Sequence, residues 1–464
     1  MIKKILRKRN IIVLLIFLSA LFLRLWRLDY PDFIPDEGHY AYDAFQIYKG
    51  NPGMVCRFHT QYHYEGQLGH PCLAQWLMAF SYKIFNPSVF SARFISALTG
   101  SLIIPIIYFI SISIFSNAST GLIAAAFYAA FPLAVKFDRT TYLDTLQTFM
   151  LSLVLAVFIQ FNKSKNITYA ILLGVVIALL ILTKLSAPLI FIFFLIQFTL
   201  AIKNNIKETL IKYFFILIGF APTFFIGANP LAYLQGIIHP TDKNFDIPNI
   251  SFSFKTLFNS FFSQSFFVYI PIIFFVFCIL GVVLYIKNKK PAFLLIYLLS
   301  WLPLAGLYII GHPNIYRLLP LVFLGTFFAA YYVNSLKPKW KKLWLFITLI
   351  LFLSFSLKWS ILETNKLQPI DNQIINYFKQ INLKQSDQIY LYEIPNNFFY
   401  LENQINFYLN PTWENGIKKN PKCVISNQSQ DGQELNNHLI KSMDYSMKKT
   451  VSNEKRKVLI ICRD

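Results

Sequence analysis

The chain has 464 residues, 55% hydrophobic and 14% charged, against about 45–50% and about 25% in soluble proteins, which excludes a water-soluble globular class and predicts an integral membrane protein. Lys and Arg number 43 against 22 Asp and Glu, for a formal net charge of +21. In so apolar a chain this excess reads as membrane orientation and attraction to anionic headgroups, not as nucleic-acid binding.

A helical span needs roughly 17–25 mostly apolar residues. Eleven runs qualify, centred near residues 20, 101, 128, 152, 176, 194, 220, 276, 301, 325 and 350, with those near 176 and 194 almost touching. Short loops rich in Lys and Arg stay in the cytoplasm. The basic clusters at Lys3, Lys4, Arg7, Lys8 and Arg9, at Lys163 and Lys165, at Lys203, Lys207 and Lys212, at Lys287, Lys289 and Lys290, and at Lys337, Lys339, Lys341 and Lys342 all fall on one side of an eleven-span chain. The expectation is a multi-pass cell-membrane protein with a cytoplasmic N-terminus. Its first segment is long and has no small-residue cleavage site after it, so it is expected to remain as an anchor. A membrane domain over 1–360 then has an extracytoplasmic loop at 29–88 and another near 230–264, and a tail over 361–464 lies on the same outer side.

The first outer loop opens with "LDYPDFIPDEGHYAYDAFQIYKG", which gathers Asp32, Asp36, Glu37 and Asp43 where the first apolar run ends. Its stretches "AYDAFQIY" and "CLAQWLMAFSYKIF" predict two helices lying along the membrane surface. Helical spacing from Asp36 puts His39, Tyr40 and Asp43 on one side. Asp36, after Pro35, is placed to cap a helix through backbone N–H groups, but a cap does not account for the adjacent Glu37, and a carboxylate half-buried at that boundary also suits a general base.

Cations within or at the ends of spans are costly and mark candidate sites: Arg93, Arg139, Lys184 and Arg317. Asp144, at a helix start, suits either a site or the helix dipole. His39, His59, His63 and His70 all lie in the first outer loop. His59 and His63, four apart, would suit a divalent metal, but no further ligand motif completes the set, so the expectation is no required cofactor. In the tail, "QIYLYE", "KCVISN" and "KVLIICRD" predict strands that alternate with the helix-like "DNQIINYFKQI" and "GQELNNHLIKSM", hence a small α/β domain. The outer cysteines fall into two location pairs, Cys56 with Cys72 and Cys423 with Cys462, either as disulfides of an oxidising exterior or as free thiols.

Six stretches in order resemble the GT-C class of lipid-linked-sugar glycosyltransferases, in particular the protein O-mannosyltransferase and aminoarabinose transferase superfamily (glycosyltransferase family 39): "PDEGHYA", "GHPCLAQWLMAF", "SARFISALTGS", "FPLAVKFDRTTYLDTLQTF", "ALLILTKLSAP" and "IYRLLPLVFLG". The likeness runs over about residues 11–330. Two positions depart from the pattern: His-Pro-Cys stands for His-Pro-Pro, and Asp138-Arg139 for Ser-Arg.

The resemblance implies a GT-C transmembrane fold and inverting transfer of a sugar from a polyprenyl-phosphate-linked donor, in the outer leaflet, to a protein, lipid or glycan acceptor. It makes Asp36 the base with Glu37 beside it, and gives Arg139, Lys184 and Arg317 to the lipid phosphate. Asp144, His70 and Arg93 are carried over as further site candidates, with His39 and Asp43 on the same helix side as Asp36. The rival is a polytopic transporter or flippase, which would gather charges at the midplane of repeated halves; no repeat is evident.

Overall fold

The computed structural model describes residues 2–29, 35–50, 71–164, 166–184, 186–227, 269–288, 290–305 and 315–358, and the backbone of five strands between 388 and 463. Among the described residues, fourteen α-helices run in chain order. α1 (Ile2–Leu25) leads to α2 (Pro35–Tyr48) and α3 (Leu73–Phe85), and the bundle continues with α4 (Val89–Phe115), α5 (Ala118–Ala130), the short α6 (Pro132–Phe137), α7 (Leu143–Ser164), α8 (Ile167–Ile181), α9 (Ile190–Ile202) and α10 (Ile206–Gly227). Further along the chain come α11 (Ile272–Lys287), α12 (Phe293–Trp301), α13 (Leu319–Ser335) and α14 (Pro338–Leu357).

Each of the eleven apolar runs coincides with one of these helices. Among the described residues, five segments are long and apolar enough to cross a membrane: Val89–Phe115, Leu143–Ser164, Ile206–Gly227, Ile315–Ser335 and Pro338–Leu357. The protein is a multi-pass membrane protein.

Local chemistry sets the helix starts. Ser88 and Ser91 form a reciprocal capping box at α4, with 3.1 Å from the Ser91 N–H to the Ser88 hydroxyl and 2.9 Å from the Ser88 N–H to the Ser91 hydroxyl. Asn117 caps α5 and Asn166 caps α8 through their amide oxygens. Each cap satisfies N–H groups that have no partner inside the helix.

Two helix pairs come together backbone to backbone at glycine. A Cβ on Gly174 of α8 would stand 1.9 Å from the Ile216 carbonyl oxygen of α10, and one on Gly219 of α10 would stand 2.0 Å from that of Ile171. Gly281 of α11 approaches the Phe328 carbonyl of α13 in the same way, at 2.0 Å. Lipid tails are as apolar as Leu, so helices in a bilayer gain from close van der Waals approach more than from hiding apolar surface, and small residues permit it. The lipid-side residues of α10 remain apolar and uncovered, as Phe214, Leu217 and Phe225 show.

The helices α2 and α3 pack on each other and on the bundle. Tyr82 of α3 donates to the Ala41 carbonyl of α2 at 3.1 Å, and its ring meets Phe45 and Tyr48 edge-on. The Leu73 N–H bonds the Leu182 carbonyl at the end of α8, and Cys72 is disulfide-bonded. Its expected partner Cys56 lies outside the described residues.

The tail holds β1 (Gln388–Tyr392), β2 (Asn406–Leu409), β3 (Cys423–Asn427), β4 (Tyr445–Ser452) and β5 (Lys457–Arg463) in one sheet of order β2-β1-β3-β5-β4. β1 pairs in parallel with β2 and β3, while β5 runs antiparallel to β3 and β4. The helix-like stretches expected between strands lie outside the described residues.

Candidate active site

The acidic opening of α2 meets the bundle through Glu37. This side chain is 1% exposed. Arg93 of α4 grips it with two parallel bonds, Nε to Oε1 at 2.9 Å and Nη2 to Oε2 at 2.8 Å, the bidentate geometry for which a guanidinium is built. The Thr141 N–H adds a bond to Oε1 at 3.0 Å, and the Thr141 hydroxyl donates to the Glu37 carbonyl at 3.0 Å. Arg93 also donates to the Leu28 carbonyl at 3.1 Å. One buried carboxylate therefore joins the exit of α1, the start of α2, α4 and the segment before α7.

A second buried pair sits beside it. Arg24, the last basic residue of α1, donates from Nε to Asp138 Oδ2 at 2.8 Å, with both side chains at 0% exposure. The Thr145 hydroxyl donates to Asp138 Oδ1 at 3.0 Å, and Arg24 Nη1 donates to the Ala129 carbonyl at 3.1 Å. Asp138 needs room on α4: a Cβ on Gly100 would fall 2.3 Å from the Asp138 carboxyl carbon. That explains the glycine of "SARFISALTGS". The charge introduced where Asp138 replaces the usual Ser is neutralised by Arg24, a residue that sequence reading passed over. The two residues lie 114 positions apart, and only the fold puts them in contact.

Arg139 follows directly. Its Nη1 donates to the Leu23 and Arg24 carbonyls at 2.8 and 3.2 Å. These carbonyls end α1 and have no partner within the helix. Lys184, beyond the end of α8, donates to both oxygens of Asp144 at 2.7 and 2.6 Å. Its ammonium also lies 5.3 Å from the Tyr316 ring centre. Tyr316 stacks on Tyr142 at 4.4 Å, and Phe137 meets both rings edge-on. Lys136, also missed in the sequence, donates to the Tyr269 hydroxyl and lies 4.2 Å over that ring.

Arg317, in the 3₁₀ turn Ile315–Leu318 next to Tyr316, is half-buried and has no ion-pair or hydrogen-bond partner among the described residues. The four cations singled out in the sequence thus divide. Arg93 and Lys184 are held by carboxylates, Arg139 by helix-end carbonyls, and Arg317 by nothing described. Glu37 is not a solvated helix-start acid, because Arg93 and Thr141 enclose it.

Asp36 and His39 lie on α2, but their side chains are outside the described residues, as are His59, His63 and His70 altogether. Asp43 is half-buried on α2, and burial pushes its carboxyl well above the usual carboxylate range. No cluster of three or more His, Cys, Asp or Glu suited to a metal occurs among the described residues.

Residues 69–226 match the family model described as "Dolichyl-phosphate-mannose-protein mannosyltransferase", a segment that includes Arg93, Asp138, Arg139, Asp144 and Lys184. Among solved structures, ArnT from Cupriavidus metallidurans, bound to undecaprenyl phosphate, aligns with a TM-score of 0.66 at 13% identity, over 97% of this chain and 97% of that one. The chain has the GT-C glycosyltransferase fold. The same GT-C fold relates it to the Archaeoglobus fulgidus oligosaccharyltransferase, at a TM-score of 0.57 and 12% identity over 90% of this chain and 69% of that one. Arabinofuranosyltransferase AftD from Mycobacteria also shares it, at 0.57 and 11% over 98% and 40%. The archaeal enzyme AglB has been solved with an inhibitory peptide and a dolichol-phosphate. No curated protein matches the chain by sequence.

Proposed function

We propose that the protein is an integral membrane glycosyltransferase that moves a sugar from a polyprenyl-phosphate-linked donor to an acceptor at the extracytoplasmic face, inverting the anomeric centre, with Asp36 as general base. The observation that carries this reading is the clamp of Glu37 by Arg93 and Thr141. It fastens the start of α2, where Asp36 follows Pro35, onto the segment that matches the mannosyltransferase family.

In the reaction, the acceptor O–H gives its proton to the Asp36 carboxylate while its oxygen bonds the anomeric carbon. The bond from that carbon to the donor phosphate oxygen breaks, and the electron pair leaves with the lipid phosphate. A cation already in place stabilises that charge without reorganising. Arg317 is the donor-phosphate ligand with no described internal partner. Lys184 reaches the same place over the Tyr316 ring with its charge balanced by Asp144. Glu37, Arg93 and Arg139 act by holding α2 and the end of α1. Of the further candidates His70, His39 and Asp43, the last two share α2 with Asp36 and are assigned to the acceptor side.

The accompanying topology is eleven spans over residues 1–360 with a cytoplasmic N-terminus, and an α/β domain over 361–464 outside. Direct displacement by a carboxylate base requires no metal or cofactor.

The test is sugar transfer from a panel of polyprenyl-linked donors, run beside donor binding on purified protein. Asp36→Asn is expected to lower transfer by about 10²–10⁴-fold with donor binding retained. Arg317→Ala is expected to weaken donor binding itself, since the phosphate is charged before reaction. Near-normal transfer by Asp36→Asn would remove it as the base.

A further inference from the structure

The cysteines of the tail play no part in the chemistry above, and their place in the sheet is specific. Cys423 is the first residue of β3 and Cys462 the next-to-last of β5. The two strands are antiparallel neighbours, and in their register Cys423 and Cys462 are direct partners. Directly opposed residues of an antiparallel pair have Cα atoms about 4.5 or 5.5 Å apart, and both spacings fall within the roughly 4.4–6.8 Å that a disulfide spans. A one-residue slip in register would abolish the match.

We propose that Cys423 and Cys462 form a disulfide across the β3/β5 junction, and that the tail therefore folds in the same oxidising compartment as the first outer loop. The second half of the inference rests on Cys72, which is itself disulfide-bonded. Cys278, within α11, is a free thiol. The cysteines thus divide by place, with a reduced thiol inside the bundle and bonded cysteine in the outer loop.

The junction is also where a link acts most. It separates the parallel half of the sheet, β2-β1-β3, from the antiparallel pair β5-β4. Among the described residues, the β3/β5 ladder is what joins those halves. Formation is by exchange: the two thiols lose two protons and two electrons to a disulfide-bearing oxidant, which leaves as a dithiol.

The experiment uses the full-length protein purified from its own membrane without reductant and alkylated before denaturation. Trypsin cuts after Lys422 and Lys441, and after Lys457 and Arg463, so the link appears as peptide 423–441 joined to peptide 458–463, and it vanishes on reduction. Recovery of that joined species, with Cys278 alkylated once the protein is denatured, is the expected result. Both peptides recovered separately and alkylated would overturn the proposal, as would either of them joined to a peptide carrying Cys56 or Cys72. A second measurement does not depend on the digest. The Cys423→Ser protein should gain one maleimide-reactive thiol after denaturation, at Cys462, relative to the unaltered protein. No gain would also overturn it.

Discussion

The helices around α1, α2, α4 and α7 and the helices of the α8–α10 and α11–α13 pairs are fastened by opposite means. The first group is crossed by charge: Arg24 with Asp138, Arg93 with Glu37 and Lys184 with Asp144, each joining different elements. The second group meets through Gly174, Gly219 and Gly281, with backbone against backbone. A glycine contact holds two backbones close through van der Waals packing, whereas a bidentate ion pair fixes the distance and direction between named side-chain atoms. Buried ion pairs are weak sources of stability, because desolvation offsets most of the attraction. Set at the end of α1, the start of α2 and the start of α7, they mark the part of the protein where position counts for more than stability.

That contrast predicts a graded series of substitutions, each measured as unfolding of the purified protein in detergent. The largest loss is expected for Arg24→Leu, which leaves Asp138 buried without its cation and costs about 3–5 kcal/mol. The double substitution Arg24→Leu with Asp138→Ser should recover most of it, since removing both partners leaves no unpaired charge. A double variant as unstable as the single one would show that Arg24 acts through packing and not through its charge.

On the glycine side, Gly174→Ala drives a methyl against the Ile216 carbonyl and should cost about 1–3 kcal/mol. It should leave donor binding unchanged, which separates the two regions by function as well as by stability.

Smaller effects follow where neighbours can yield. The atoms nearest a Cβ at Gly325 belong to side chains, the Cys278 sulfur and the Phe274 ring, both at 3.0 Å. Gly325→Ala should come out near neutral, because the gain of about 0.5–1 kcal/mol in helix propensity offsets the crowding. The smallest change is expected at the partly exposed Lys212–Glu208 pair, four residues apart at 2.6 Å. Lys212→Met should alter stability by about 0.3–0.5 kcal/mol, and high salt should erase that difference.

Much of the membrane part was legible because hydrophobicity along one chain is a local signal. The eleven apolar runs coincide with helices even at 176 and 194, where the spans nearly touch: Lys184 and the turn after it divide α8 from α9. Three tail strands were legible for the same reason, in "QIYLYE", "KCVISN" and "KVLIICRD". β2 and β4 were passed over. "NFYL" is only four residues long, and "YSMKKTVS" carries two lysines, a weak pattern that pairing with β5 completes.

The site was half legible. Its residue types and motif order were evident, but their partners were not. Glu37 and Arg93 are 56 residues apart, Lys184 and Asp144 are 40 apart, and Arg24 and Asp138 are 114 apart. A charge in a sequence looks the same whether it will be paired or left open. Reading Arg139, Lys184 and Arg317 as equals was the natural outcome.

The sequence by itself determined that this chain lives in a membrane and which segments become helices. It also determined that acids gather where the first helix ends, because burial in lipid and backbone satisfaction act residue by residue. Only the tertiary structure decided which of those charges neutralise one another, that Gly100 makes room for Asp138, and that Cys423 stands opposite Cys462. Those outcomes depend on the meeting of distant segments, and a pairing energy exists only once the fold has brought both partners to within a few ångströms.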